Sequence, residues 1–404
     1  MKKILTLALA SLAVCSVNAQ KANLDAAKKL AGKIDKVEEA RALLKAAKEN
    51  PETAEDPYTY FLAGKVEFDA YDNANMKRMI NPNDKDVNPL NMANQIVNGY
   101  QNMLEVMPRD KQPNAKGEIK PKYTKDAIKA LNAHFNDYFN AGGTLYNEQQ
   151  YYPGAYQAFY IFGTFPKSEY ADKKIAATPD STLNQALFNA GISAYAGNAV
   201  PEAANAFKLA RLNDTNNEQN YIYEIACWQY MMQNDSTKTD EGKKEIDAIA
   251  KAGYEKFGMD QPVFLNNLVN SYVMDNNMQA ALELVEGQVA KTPDVPNLYG
   301  LLGFIYDRMD KDDQSVENYR KAAAMPNVDA ETLKNVSKKL FRVGVAKREA
   351  MDPKDAAAKQ AIKTEYFEAA KAAAEKAKTI SPETTKDLDY VIENIDYALE
   401  QYFN

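Results

Sequence analysis

Of the side chains that ordinarily carry catalysis, this chain of 404 residues is nearly bare of two: it has one histidine, His134, and two cysteines, Cys15 and Cys227. One imidazole cannot assemble a histidine-based metal site or a serine–histidine–aspartate relay. His134 stands close to Phe135 and Tyr138 in a helical stretch, where a structural role is expected. Cys227 sits beside Trp228, the one tryptophan, and reads as a small buried hydrophobe. With no second thiol beyond Cys15 it makes no disulfide that would staple the mature fold. No phosphate-cradling glycine loop and no Cys-x-x-Cys is present. The 56 Asp and Glu side chains lie on helix faces beside lysines, where solvation and pairing one turn apart account for them. A carboxylate pair acting on a glycoside is the chemistry these residue types leave open. Otherwise no catalysis, no cofactor and no metal is expected.

Two further concentrations are suited to binding rather than reaction. Tyr146, Tyr151, Tyr152, Tyr156 and Tyr160 crowd one stretch, where rings either pack a core or stack on sugars. Arg109, Lys111, Lys116, Lys120 and Lys122 crowd residues 108–122 together with Pro108, Pro113 and Pro121. That segment reads as a solvated connector or as a docking loop for a polyanion.

The elements that must position these groups are helices. Leu24, Ala27, Leu30 and Ile34, then Val37, Ala40, Leu43, Leu44 and Ala47, mark two apolar stripes and a helical hairpin over 22–50. A second pair is expected from Pro57 to about Asp72 and from Asn88 to Val106, with the Asn- and Asp-rich residues 73–87 as an inserted loop around Pro82. Period-two alternation and Asn-Gly hairpin signals are missing, so no sheet competes.

Between Pro262 and Asn327 one pattern is written twice. Leu265, Leu268, Tyr272, Ala281 and Val285 recur 34 residues later as Tyr299, Leu302, Tyr306, Ser315 and Tyr319. This period, with Leu302-Gly303 and Tyr306, resembles the tetratricopeptide (TPR) repeat. Phe139, Gly143, Tyr146, Ala155, Phe159, Phe162 and Pro166 fall near the same template, as do Leu187, Gly191, Ala203, Phe207 and Ala210, with Tyr195 one place beyond the expected Tyr. The alignment places Tyr146 at a packing position and Tyr152 between repeats. The phase continues at Leu333, Val336 and Leu340, then at Ala370, Ala374 and Ala377. The last helix, from Lys386 to Tyr402, reads as an end cap. The resemblance implies an all-α, right-handed superhelical solenoid of antiparallel helix pairs, about eight pairs plus a C-terminal capping helix. Its expected divisions are residues 1–19, 20–182, 183–329 and 330–404.

Residues 1–19 form the first division because they read as a secretory signal. Lys2 and Lys3 precede an apolar run from Ile4 to Val14, and Val17-Asn18-Ala19 offers a cleavage site before Gln20. Val14 does not match the small residue a lipoprotein signal places before its cysteine. Loss of Lys2 and Lys3 takes the formal charge from −7 to −9, which argues against nucleic acid as a partner. No later run reaches the length of about 18 apolar residues that spans a bilayer. The expectation is therefore an exported, periplasmic protein of a bacterial cell envelope, with secreted and outer-membrane-associated forms as alternatives and no membrane insertion of the mature chain. Asp180-Ser181-Thr182 and Asp235-Ser236-Thr237, in expected loops, resemble a short acceptor for O-glycosylation of exported proteins.

The resemblance also implies where a protein or peptide partner binds, because TPR repeats line their concave face with fixed positions of each first helix. Placed on that template, those positions are Phe188, Ile192 and Tyr195; then Asn266, Asn270, Val273 and Met274; then Asn297, Phe304, Asp307 and Arg308. Asn266 and Asn270 stand one turn apart, so their amides can hold an extended backbone together. The lysines with which some TPR domains grip a C-terminal carboxylate are missing from the corresponding places. A glycan- or nutrient-capturing accessory protein of the outer membrane is the alternative function, carried by the tyrosines at 146–160.

Overall fold

The computed structural model describes residues 22–113, 117–147 and 151–403. The expected signal segment, Lys116 and the side chain of Ile34 lie outside them. Among the described residues no strand forms, and the chain divides into two compact units at Gly242 and Lys243.

The first unit holds α1 (22–30), α2 (Val37–Glu49), α3 (Pro57–Ile80), α4 (Pro89–Leu104), α5 (Val106–Asp110), α6 (Thr124–Ala133), α7 (Phe135–Asn147), α8 (Tyr152–Thr164), α9 (Lys173–Ala176), α10 (Asp180–Ala196), α11 (Val200–Asn213) and α12 (Glu218–Asn234). Proline opens several helices at a position whose N–H has no helical partner, and at α3 and α4 the preceding Asp or Asn also caps the turn. Thus Asp56 accepts from Tyr58 N before α3, and Asn88 accepts from Leu90 N and Asn91 N before α4. The pairs α3/α4, α7/α8 and α10/α11 pack internally, and each adds to the next through α4 on α7 and α8 on α10. One continuous apolar core runs from Phe68 to Ala186 through these layers. This is the nearest-neighbour stacking that a helical repeat requires.

The second unit takes α13 (Thr239–Phe257) from Lys243 on, then α14 (Pro262–Met274), α15 (Met278–Val289), α16 (Pro296–Arg308), α17 (Asp312–Ala324), α18 (Ala330–Ala350), α19 (Ala356–Ile362), α20 (Ala369–Ile380) and α21 (Leu388–Phe403). Here α14/α15, α16/α17 and α18/α20 are the pairs, and α21 closes the row by burying Leu388, Ile395, Ala398 and Phe403. A π-helical stretch, Lys363–Glu368, leads into α20.

The turn inside a pair is the same three times. Asn198, Asn276 and Asp310 adopt φ of 60°, 56° and 57°, a left-handed conformation that Asn and Asp tolerate better than other side chains. In each case the next N–H reaches back five residues, from Ala199 to Ala194 O, from Asn277 to Tyr272 O and from Lys311 to Tyr306 O. These bonds close a Schellman motif and satisfy carbonyls at the helix end.

Close approach within a pair rests on a glycine facing a ring. A Cβ on Gly191 would lie 2.6 Å from Phe207, and one on Gly303 would lie 2.8 Å from Tyr319. In α7 that glycine is Gly142, 2.6 Å from Phe159 by the same measure, whereas Gly143 faces open space. The expected match at Gly143 and Tyr146 is therefore one residue late. Leu145 fills the packing position, fully buried, and Tyr146 is exposed.

Other expectations are corrected as well. Residues 73–80 continue α3, because Asn and Asp solvate a helix face as readily as a loop, and the chain turns only at Asn81-Pro82. Asn73 Nδ2 holds Gly32 O at 2.6 Å from this extension. Ser181 and Thr182 lie in the first turn of α10 rather than in a loop, and Asp235 accepts from both Thr237 N and Oγ1 in a 3₁₀ turn.

Candidate functional site

In the second unit, α14, α16 and α18 stand side by side and leave a cleft of about 480 Å³. Asn266 and Asn270 reach it from α14, Asn297 and Phe304 from α16, and Asn335 from α18. Tyr319 of α17 lies behind, and Asp329 and Glu331 form one rim. Asp329 caps α18 by accepting from Thr332 N at 2.6 Å and Thr332 Oγ1 at 3.0 Å. The Asn266 and Asn297 Oδ1 atoms are buried without a donor among the described residues. A buried amide oxygen left unpaired costs about 1–3 kcal/mol, and a ligand N–H relieves that cost.

The expected site residues fall into two groups. Asn266, Asn270, Asn297 and Phe304 meet at this cleft. Met274 is exposed at the end of α14, and Arg308 lies outside the cleft with its guanidinium over the Phe304 ring, 5.2 Å from its centre. Asp307 is engaged structurally, accepting from Lys339 at 2.5 Å and from Arg342. Phe188, Ile192 and Tyr195 belong to the first unit. There Phe188 packs edge-on against Tyr223 and Tyr195 against Tyr230. Tyr223 and Tyr230 were not expected. A strict 34-residue step from Phe188 and Tyr195 lands on Ile222 and Gln229, one place short of each. The legible signal was aromatic spacing of two turns, repeated in α10 and α12.

The remaining chemical candidates are built into the fold. His134 is buried, stacked on Phe68 at 4.2 Å, with Nδ1 3.2 Å from Asp137 Oδ2. Asp137 Oδ1 in turn accepts from Tyr71 at 2.7 Å. Burial pushes the Cys227 thiol up to about 12, and the Glu224 carboxylate adds to the rise. Arg109, the first cation of the basic segment, lies 3.9 Å over the Tyr60 ring and donates to Ala54 O. The same segment is anchored by buried Asp110, which accepts from the N–H groups of Lys122, Tyr123 and Thr124. Tyr156 and Tyr160 are half-buried neighbours, and Tyr160 accepts from Asn205 at 3.2 Å. Among the described residues no three His, Cys, Asp or Glu side chains cluster as metal ligands, and no helix is long and apolar enough to cross a membrane.

The stacked pairs, the glycine–ring contacts and the repeated Schellman turns decide the architecture. The chain is built of TPR-like helix pairs. No protein-family model matches it, and no curated protein does. Among solved structures it is similar to the APC/C hetero-tetramer Cut9-Hcn1, at 13% identity over 93% of this chain and 84% of that one, with a TM-score of 0.31. Yeast Tom70 aligns at 14% identity over 95% and 96%, TM-score 0.31, and the P58(IPK) TPR domain at 11% over 95% and 99%, TM-score 0.28. Scores this low add no weight, and the assignment rests on the helix pairs themselves.

Proposed function

We propose that this chain is an exported TPR-like scaffold that holds an extended segment of a protein partner in the cell envelope, without catalysis. The observation that supports it is the α14–α16–α18 cleft. Its asparagines present amide donors and acceptors along its lining, and two of their oxygens are buried without a partner among the described residues. An extended peptide offers alternating N–H and C=O groups at a matching scale, and Phe304 adds an apolar anchor. Export rests on the Lys2–Ala19 segment, and N-terminal sequencing of envelope protein beginning at Gln20 checks it.

The test of the cleft is in-cell crosslinking followed by mass spectrometry. Changing Asn270→Ala together with Phe304→Ala should weaken capture of the partners found with the native chain while leaving helicity and melting temperature nearly unchanged. Undiminished capture of the same partners by a folded double variant overturns the assignment of the cleft.

A further inference from the structure

The aromatic side chains of α10 and α12 form two rungs. Phe188 and Tyr223 lie 5.5 Å apart with their rings at 78°, and Tyr195 and Tyr230 lie 6.2 Å apart at 70°. The members of each helix are two turns apart, so the rungs are separated by about 11 Å along the helices. Phe207 of α11, fully buried, floors the first rung, stacked under Tyr223 at 5.2 Å and edge-on to Phe188 at 5.6 Å. Tyr195, Tyr223 and Tyr230 are 49%, 39% and 39% exposed. The neighbouring Leu187, Ala194 and Ile225 carry the buried packing, while Tyr223 touches it through Phe207 and Tyr230 reaches Asn198 at 3.5 Å, each leaving more than a third of its surface open.

Charge narrows what such a surface can take. From Ser181 to Val200, and again from Ile225 to Asn234, there is no Asp, Glu, Lys or Arg. Glu224 points inward, fully buried, to Arg211 at 2.6 Å. An ionic partner segment would lose water here and find no counter-charge along these stretches of α10 and α12. The occupant is therefore uncharged.

Ring geometry narrows it again. A sugar stacks on a flat, open ring face, whereas each rung here is a steeply crossed pair of rings that makes a notch, the first of them floored by Phe207. A prolyl ring fits a notch of that kind. A polyproline II segment repeats every three residues, about 9 Å, close to the rung separation. Its proline positions lack N–H groups, so its free polar groups are mainly carbonyl acceptors. The exposed Tyr195 and Tyr223 hydroxyls supply donors to match, and that of Tyr230 does so by exchanging its 3.5 Å bond to Asn198 Oδ1.

We propose that this aromatic ladder is a docking site for an uncharged, proline-rich segment of a partner protein in the polyproline II conformation, with prolines three residues apart seated on the two rungs. It is separate from the asparagine cleft and does not depend on it.

The experiment uses the purified mature chain and three probes: a fluorescent uncharged peptide of repeating Pro-Pro-Ala, the same peptide with alanine for every proline, and maltohexaose. The proline peptide should bind with little dependence on salt, and the alanine peptide should not. Tyr195→Ala with Tyr230→Ala should weaken that binding by about tenfold or more, as loss of anchor aromatics does, whereas the Asn270→Ala, Phe304→Ala variant should bind it as the native chain does. Tyr195→Phe with Tyr230→Phe keeps the packing and removes two hydroxyls, and should give a smaller loss if the alanine variant fails to fold. Equal binding of proline and alanine peptides, no binding of either, or ladder-dependent binding of maltohexaose alone overturns the proposal. A proline peptide whose binding is lost in the cleft variant but kept in the tyrosine variants overturns it too, while leaving the cleft reading intact.

Discussion

Tyr319 of α17 lies so close to Gly303 of α16 that a Cβ on the glycine would come within 2.8 Å of the ring. The same relationship joins Gly142 to Phe159, and this contact fixes which residue of the Gly142-Gly143 pair serves the repeat. Gly142→Ala should destabilise by about 1–3 kcal/mol through overpacking. Gly143→Ala meets nothing within 4 Å among the described residues and should be neutral or stabilise by up to about 1 kcal/mol through helix propensity. Urea unfolding of the two single variants checks the pair, and the reverse ranking would return the template match to Gly143.

Ala281 makes the equivalent point on a second helix. It is fully buried in α15 beneath Leu265 and Val285 of the same core. Ala281→Leu should cost about 1–3 kcal/mol. Because each pair touches only its neighbours, hydrogen exchange should quicken first in α14–α16 and leave the first unit unchanged. Uniform acceleration along the chain would contradict that locality.

How much of this was open to reading follows from which forces act locally. Helix periodicity, Asp56-Pro57 and Asn88-Pro89 starts, and the Pro262–Asn327 repeat depend on neighbours in sequence, so they could be read directly. The position of Gly142 could not, because only the ring of Phe159 distinguishes it from Gly143. The helical extension over 73–80 was hidden for a related reason. Met76, Met79 and Ile80 are exposed there, and no apolar stripe betrays a helix that buries little. At the site, Asn266, Asn270, Asn297 and Phe304 converge on the cleft from template positions alone. Tyr223 and Tyr230 were missed because the ring register between α10 and α12 departs by one residue from the 34-residue step that their buried positions keep.

Asp110 gives a pH dependence. Burial acts to raise its pKa, but the donors from Lys122, Thr124 and Tyr123 outweigh it and hold the carboxyl below the usual range. The folded value thus lies below the unfolded one of about 3.9, so the contribution is complete above that pH and is lost as pH falls through the folded value. Asp110→Ala should melt earlier than the native chain at pH 6, by an amount reflecting about 1–3 kcal/mol of unpaired buried N–H groups. The gap should narrow toward pH 3. A gap that widens on acidification would show that the carboxylate is not what holds the loop.

Cys227 should be inert in the folded chain. A thiol at about 12 is ionised to roughly one part in ten thousand at pH 8, against about a quarter for a free cysteine. Iodoacetamide should label it only after denaturant is added. Labelling of the native protein at the rate of a free thiol would mean that α12 opens far more often than its packing against Val200, Ala203 and Phe207 implies.

Lys339 carries the last prediction, since its side chain, only 2% exposed, joins two helices at once through its ammonium. It donates to Asp307 of α16 at 2.5 Å and to Asp312 of α17, and Arg342 reinforces Asp307. Hydrogen bonding from Lys339 holds the Asp312 carboxyl below its ordinary range. Removing the cation strands the carboxylates and also empties the space its stem fills. Breaking a buried pair in this way costs about 3–5 kcal/mol, and with Asp312 more than half exposed Lys339→Ala should fall toward the lower end. Asp312→Ala should cost no more than about 1 kcal/mol, because an exposed partner contributes little and Asp307 still satisfies the lysine. Denaturant melts of both variants read the difference directly. Equal losses would show that Asp312, and not the less exposed Asp307, is the partner that makes Lys339 tolerable inside the fold.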